Sequence, residues 1–286
     1  MRLRKSLKMT QVQLSQDICT QSTISMIEKG EIKPGLDILY LISIKLNKPI
    51  SYFANLLLDK DYSYKYSIVQ EIEEQTTMQN YQLVYSITER ELSYKQTDEW
   101  FFSVLKWNYY LSSYKTGIIT IDTTILELKK LLEDTKNIVL EKDFLKERIY
   151  NTLAFLYATK KNFEFAMFYY NKIDINKDFS ATPRLNQEIY YLRIIYNKSK
   201  TYYDMGDLLC SQELILLGIR KSIKLENMSF LGNFYYYLGL IQERLNAPIS
   251  EISTSFQNAY YFFKILERTP YIEIIENKKS EYLNLN

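Results

Sequence analysis

Short amide and hydroxyl side chains are concentrated in one segment near the start of the chain, MTQVQLSQDICTQSTISMIEKG, from Met9 to Gly30. Side chains of this size can reach the edges of DNA bases, and a glutamine can offer adenine a donor and an acceptor together. The chemistry that this segment favours is therefore recognition, without bond making. The candidate DNA-contacting residues are Gln11, Gln21, Ser22, Thr23, Ser25 and Lys29.

Two short helices are predicted to position these side chains. Thr10 can cap a first helix that ends near Cys19, and Thr20 can cap a second helix that Gly30 closes. The apolar positions are expected to be Val12, Leu14 and Ile18 on the first helix and Ile24 and Ile27 on the second.

The helical period decides which face of the second helix is free. With its isoleucines buried, the 3.6-residue repeat turns Gln21, Ser22, Ser25 and Lys29 outward and leaves Thr23 and Met26 at the margins. Gln11, at the start of the first helix, is expected against the DNA backbone, because an amide and a helix N-terminus both favour phosphate. The alternative is that this polar face is only solvated.

The spacing of these residues, T-Q-x-x-L-S-x-x-I followed by S-x-x-x-x-E-x-G, resembles the Xre/Cro-type repressor family over about residues 2–57. In that family a glutamate below the recognition helix pairs with an arginine of helix 1, and Glu28 and Arg4 hold those positions here. The resemblance implies a helix-turn-helix domain, with further helices at Leu36–Asn47 and after Pro49.

Charge and composition agree with a small basic module on a larger body. Residues 1–57 carry eight Lys or Arg against four Asp or Glu, whereas the other 229 carry 28 against 30. Only seven glycines and five prolines among 286 residues leave few tight turns, so we predict an all-α protein. No apolar run is long enough to span a bilayer and no signal peptide precedes the first helix, so a cytoplasmic protein without membrane contact is expected.

Metal and enzyme chemistry find little support in the composition. The chain has no histidine and two distant cysteines, Cys19 and Cys210, which excludes an ordinary zinc site or a histidine-based catalytic centre. No glycine-rich phosphate loop or nucleophile with a base occurs, so no catalytic residue and no cofactor is predicted. Oxidation of Cys19 at the helix joint is an open alternative role for that thiol.

From about Asp61 onward, apolar-periodic segments of 12–18 residues alternate with short joints. We predict helical hairpins near 64–92, 98–133, 143–173, 185–222 and 226–266 and a last helix near 271–283. The segment Leu153–Ile173 resembles a tetratricopeptide repeat, with weaker repeats from Lys200 and Phe234. A superhelical solenoid of degenerate hairpins with one concave face is expected. The predicted domains are 1–57 for DNA binding, 58–65 as linker and 66–286 for peptide binding and dimerisation.

This arrangement resembles the peptide-pheromone regulators of Gram-positive bacteria, the Rap/Npr/PlcR/PrgX group, and its PlcR-like receptors in particular. The resemblance includes ILELKKLL at Ile125–Leu132 and FFKILE at Phe262–Glu267. It implies a homodimeric quorum-sensing transcription regulator that binds double-stranded DNA at an inverted-repeat operator under the control of a short re-imported signalling peptide in the concave groove.

Two asparagines in the body match the peptide-binding positions of such receptors. An extended peptide needs partners for its N–H and C=O groups, and an asparagine amide can supply a donor and an acceptor. Asn151 and Asn197 each follow a tyrosine in the first helix of a hairpin. The further candidates are Asn233, Tyr237 and Tyr271, and the alternative for the asparagines is simple solvation.

Two other functions stay open at the level of sequence. A DNA-binding scaffold would use the repeat domain to hold a protein partner in place of a peptide. A Rap-type phosphatase is less consistent, because such proteins begin with a three-helix bundle and not with a segment like Thr10–Gly30. The 27 tyrosines exceed the needs of a core, so some are expected along a wet groove, although compositional bias with half-buried positions is the favoured explanation for any single tyrosine.

Overall fold

The computed structural model describes residues 1–58, 61–175 and 187–283, which form helices without any β-strand, as predicted. Short 3₁₀ turns occupy Lys142–Phe144 and Ser280–Tyr282. The α-helices are α1 (Arg2–Ser6), α2 (Gln11–Ser15), α3 (Gln21–Lys29), α4 (Leu36–Lys45), α5 (Ile50–Leu58), α6 (Tyr62–Thr77), α7 (Tyr81–Ser93), α8 (Glu99–Lys115), α9 (Ile121–Asp134), α10 (Asn137–Glu141), α11 (Leu145–Thr159), α12 (Phe163–Tyr170), α13 (Gln187–Met205), α14 (Leu208–Lys224), α15 (Leu231–Arg244), α16 (Ile249–Ile265) and α17 (Thr269–Lys279).

The chain divides into two compact units, Met1–Asn80 and Tyr81–Asn286. The first contains α1–α6 and the second α7–α17. Of the predicted linker 58–65, residues 59 and 60 lie outside the described part of the chain, and α6 begins at Tyr62. The assignment of DNA binding to 1–57 and of peptide binding to 66–286 stays a prediction.

The N-terminal unit has its core between α2, α3 and α4. Leu14, Ile24 and Ile42 are buried there together with Leu46, which follows α4. The prediction that Val12 is a core position is wrong, since its side chain is 66% exposed. Val12 lies two residues before Leu14, about 200° away around the helix, so Ser15 completes the buried face in its place.

The C-terminal unit is a series of helices in which neighbours along the chain pack together. The predicted hairpins near 98–133, 143–173, 185–222 and 226–266 are confirmed as the pairs α8/α9, α11/α12, α13/α14 and α15/α16. The hairpin predicted at 64–92 is wrong, because α6 belongs to the N-terminal unit and α7 packs on α8. Periodicity identifies the apolar face of a helix but does not say which neighbour covers it.

Small residues let helices of successive hairpins approach closely. Ala166 and Ala259 are fully buried. At Gly218 the approach is closer still, because a Cβ there would lie 2.3 Å from Cζ of Phe234. A methyl group at residue 218 would therefore overlap the Phe234 ring, which itself is completely buried.

Within the ranges that the structure describes, no helix is both long and apolar enough to cross a bilayer. The same ranges contain no group of three or more Cys, Asp or Glu side chains arranged to hold a metal ion.

Candidate nucleic-acid interface and asparagine–tyrosine cluster

Both ends of the predicted recognition helix, α3, are fixed by local chemistry. The Thr20 hydroxyl accepts a hydrogen bond from the backbone N–H of Thr23 at 3.1 Å, which satisfies a free donor of the first turn. Gly30 ends the helix with φ of +78°, a left-handed conformation that glycine adopts without strain. The preceding helix α2 starts with a capping box between Thr10 and Gln13.

The joint between the two helices is longer than the sequence suggests. Helix α2 was expected to reach Ile18 but ends at Ser15, and Asp17 has φ of +63°. A left-handed residue interrupts the helical hydrogen bonds, so the chain turns over residues 16–19 before Thr20 caps α3.

The outward face of α3 largely follows the prediction. Gln21, Ser22 and Lys29 are exposed, while Thr23 and Ser25 are half-buried. The hydroxyls of Thr23 and Thr20 lie 2.9 Å apart, so that of Thr23 has one local partner already. Ile24 is buried and Ile27 partly buried beneath this face. The DNA contacts of all six candidate residues stay a prediction.

Four side chains form a hydrogen-bonded chain from α1 to the start of α3. Arg4 donates two bonds to the Glu28 carboxylate, from Nε at 2.8 Å and from Nη2 at 2.9 Å. Gln11 Nε2 donates to the same carboxylate at 2.9 Å, and Gln21 Nε2 donates to Gln11 Oε1 at 2.8 Å. We call this set the Arg4–Gln21 chain; its effect is to hold the amide of Gln21 in one orientation.

The expected Arg4–Glu28 pair is therefore present, and both of its side chains are largely buried from solvent. The Glu28 side chain is 5% exposed and that of Arg4 is 10% exposed. The hydrogen bonds from Arg4 and then from Gln11 lower the pKa of Glu28 to about 2, against the opposing effect of burial. The carboxylate is thus charged throughout the neutral range.

Gln11 has a second role that the sequence did not reveal. Its amide N–H binds Glu28 and its amide oxygen accepts from Gln21, so Gln11 links the ion pair to the recognition helix. One N–H of the Gln11 amide is still available for a phosphate. The sequence feature that could have indicated this link is the spacing of Gln11 and Gln21, which lie ten residues apart at the starts of consecutive helices.

The thiol at the helix joint, Cys19, packs against the N-terminal core and has a pKa raised by burial. A raised pKa lowers the fraction of thiolate, which is the form that oxidants attack. This environment favours the interpretation of Cys19 as an apolar packing residue.

In the C-terminal unit, the two predicted peptide-binding asparagines are joined to each other. Asn197 Nδ2 donates to Asn151 Oδ1 at 3.1 Å, a bond that links α13 to α11. Asn151 is 5% exposed and Asn197 is half-buried. After this bond the two amides together still have three N–H donors and further acceptor capacity, so they can clamp a peptide unit.

A second polar group continues from α13 to α15. Tyr196, adjacent to Asn197, interacts with the side chains of Asn233 and Tyr237, both of which oppose the rise of its pKa, and the Tyr196 and Tyr237 rings lie 5.6 Å apart. Burial, with a further contribution from Tyr196, raises the pKa of Tyr237. The phenol of Tyr237 is therefore neutral at physiological pH. We name Asn151, Asn197, Tyr196, Asn233 and Tyr237 the asparagine–tyrosine cluster.

Tyr271, the last candidate, lies on α17 and stacks on Phe263 with ring centroids 4.9 Å apart. Burial is the main cause of the raised pKa of Tyr196, and Tyr271 adds to it. Tyr271 is thus within electrostatic range of the asparagine–tyrosine cluster. Peptide binding by Asn151, Asn197, Asn233, Tyr237 and Tyr271 stays a prediction. Tyr196 was missed, although a tyrosine precedes both asparagines.

A helix-turn-helix unit with a polar recognition helix, followed by a unit of packed helical hairpins, defines a helix-turn-helix transcription regulator with a helical-repeat domain. Two family models match these parts: a helix-turn-helix model over residues 1–53 and the RNPP family C-terminal domain over residues 69–284. The chain belongs to the RNPP family.

Solved structures with the same fold are those of peptide-responsive regulators. PlcR of Bacillus thuringiensis in complex with the peptide PapR7 and DNA is 28% identical, with 97% of each chain covered and a TM-score of 0.82. Apo PlcR is 27% identical, with 97% of this chain and 99% of that chain covered and a TM-score of 0.69. The SHP pheromone receptor Rgg2 of Streptococcus dysgalactiae, at 14% identity, 98% and 96% coverage and a TM-score of 0.58, shares the fold. No curated protein matches the chain.

Proposed function

We propose that this protein is a cytoplasmic transcription regulator that binds a pseudo-palindromic DNA site as a homodimer. The observation that carries the proposal is the Arg4–Gln21 chain, which fixes an amide at the first turn of a capped helix. Fixing a base-reading side chain before binding reduces the entropy lost in the complex. One such helix reads only a half-site, so two copies of the chain are needed for specific affinity.

A short re-imported signalling peptide controls this binding from the concave groove of the repeat domain. The asparagine–tyrosine cluster supports the assignment, because it offers unused amide donors and acceptors on the first helices of successive hairpins. An extended peptide that loses water must have its backbone groups paired in this way. PlcR, which shares the fold at 28% identity, has been solved with a peptide and DNA together.

The DNA half of the proposal is tested by selecting binding sites from random duplex DNA with the full chain. We expect inverted repeats to be recovered, and Gln21→Ala to lower the preference for the selected site over random DNA by roughly tenfold or more. Gln82→Ala, an exposed glutamine on α7, is the matched control. Equal losses on selected and random DNA, or selected sites without symmetry, would contradict the proposal.

A further inference from the structure

Arg193 is a half-buried cation on α13 next to the asparagine–tyrosine cluster. Its guanidinium carbon lies 5.0 Å from the ring centroid of Tyr190 and 5.9 Å from that of Phe230. Among the residues that the structure describes, no carboxylate lies within ion-pair distance of Arg193, and none of its N–H groups donates a hydrogen bond. Aromatic rings hold the side chain in place but leave its planar set of donors unused.

A second guanidinium, that of Arg148, lies close to the same tyrosine, Tyr190. Arg148 of α11 is 6% exposed, and its Cζ lies 3.6 Å from the Tyr190 ring centroid, with other contacts of its own. Two positive charges close to one buried ring repel each other more than they would in water, because the surroundings screen them poorly. An anion placed beside Arg193 would reduce this repulsion and accept the unused hydrogen bonds.

The charge of Arg193 also reaches Tyr81 at the start of α7. Burial raises the pKa of Tyr81, and Arg193 opposes that shift, so the two groups are within electrostatic range. Tyr81 keeps its proton at neutral pH and can donate a hydrogen bond. The Arg193 cation and the neutral phenol of Tyr81 are therefore both hydrogen-bond donors suited to an anion.

The spacing between Arg193 and Asn197 on α13 indicates which part of a bound peptide would lie beside Arg193. Arg193 and Asn197 are one helical turn apart on the same face, about 6 Å along the helix axis. An extended peptide advances about 3.3 Å per residue, so a group at Arg193 belongs to a residue about two positions from the peptide unit at Asn197.

We propose that the repeat domain selects a peptide with a carboxylate, and that Arg193 binds this carboxylate about two residues from the peptide unit held by Asn197. The inference rests on the proposed function and specifies the chemistry of its ligand. The carboxylate can come from an acidic side chain or from the peptide C-terminus, since both present the same two oxygens to a guanidinium.

Three pools of synthetic heptapeptides separate these sources. The first has free C-termini and no Asp or Glu, the second has amidated C-termini and one Glu, and the third is amidated and uncharged. Each pool is tested for a rise in the melting temperature of the full chain, and the strongest binder is then measured singly beside its amide counterpart. We expect the first or the second pool to bind, and wild type to prefer the acid over the amide by roughly 10- to 100-fold.

Substitution of Arg193 assigns that preference to one side chain. Arg193→Gln should bind acid and amide peptides within about twofold of each other, whereas Arg193→Lys should keep part of the preference. Arg220→Gln, an exposed arginine on α14, should behave as wild type. Equal binding of acid and uncharged peptides, or a preference that survives Arg193→Gln, would overturn this inference alone. Failure of every pool to bind would overturn the proposed peptide function together with it.

Discussion

The Arg4–Glu28 ion pair should be a main stabilising contact of the N-terminal unit. In Glu28→Ala, Arg4 would stay largely buried without a counter-charge, and the link from α1 through Gln11 to α3 would be lost. Breaking one side of a buried pair costs about 3–5 kcal/mol. A drop of the Glu28 pKa from 4.5 to about 2 corresponds to about 3 kcal/mol by linkage, so the two routes agree.

The sign of the pH dependence follows from the lowered pKa. A carboxyl group whose pKa is lower in the folded state stabilises the fold fully above its unfolded value of about 4.5, and this stabilisation is lost as pH falls toward 2. Wild type should therefore lose stability in the N-terminal unit over this interval. Glu28→Gln should show a smaller change over the same interval.

Hydrogen exchange of the full chain is the appropriate assay, read separately for peptides from the N-terminal unit. Trp100 and Trp107 both lie in the C-terminal unit, so their fluorescence reports that unit as an internal control. Glu31→Ala is the matched control variant. The Glu31 side chain is 53% exposed, so its ion pair with Lys29 is worth under about 1 kcal/mol. A loss below about 0.5 kcal/mol in Glu28→Ala, equal to that in Glu31→Ala, would refute the argument.

Three further substitutions test other parts of the structure. Gln11→Ala should reduce sequence discrimination as well as DNA affinity, because it releases the Gln21 amide. Fluorescence anisotropy on the selected site and on random DNA measures both affinities. Equal losses of affinity on the two DNAs would mean that Gln11 contacts only phosphate. Asn151→Ala and Asn197→Ala should each weaken binding of the strongest pool peptide by about 1–3 kcal/mol in calorimetry. The control variant Asn137→Ala should bind the peptide as wild type does. Unchanged peptide affinity in both Asn151→Ala and Asn197→Ala would mean that the peptide binds elsewhere. Gly218→Ala should destabilise the C-terminal unit by about 1–3 kcal/mol in urea unfolding followed by tryptophan fluorescence. Adding Phe234→Leu should restore part of that loss; a loss that Phe234→Leu leaves unchanged would mean that the Phe234 ring is not the cause.

The sequence predicted the N-terminal unit in some detail because its signals are local. Caps at Thr10 and Thr20, the glycine at residue 30 and the pairing of Arg4 with Glu28 each depend on a residue type at a fixed spacing. Val12 was misassigned because a five-residue helix is too short for its apolar period to be read with certainty. The left-handed Asp17, which ends α2 early, gives no composition signal of its own.

The C-terminal unit was predictable in its elements but less so in its contacts. Helix positions followed from apolar periodicity, whereas the packing of α7 on α8 depends on which apolar faces meet across the chain. The bond between Asn151 and Asn197 joins residues 46 positions apart, and the Phe230 ring beside Arg193 comes from a residue just before α15. Contacts of this kind result from tertiary packing, which no short window of sequence contains.

The most direct test of the whole account is the coupling between peptide and DNA. The affinity of the full chain for its selected inverted repeat would be measured without peptide and with saturating amounts of the strongest pool peptide. The account predicts a change of about 5- to 150-fold, with an equal change in peptide affinity when the DNA is bound, because coupling between two sites is reciprocal. Peptide binding that leaves DNA affinity unchanged would contradict the claim that this protein is a peptide-controlled regulator.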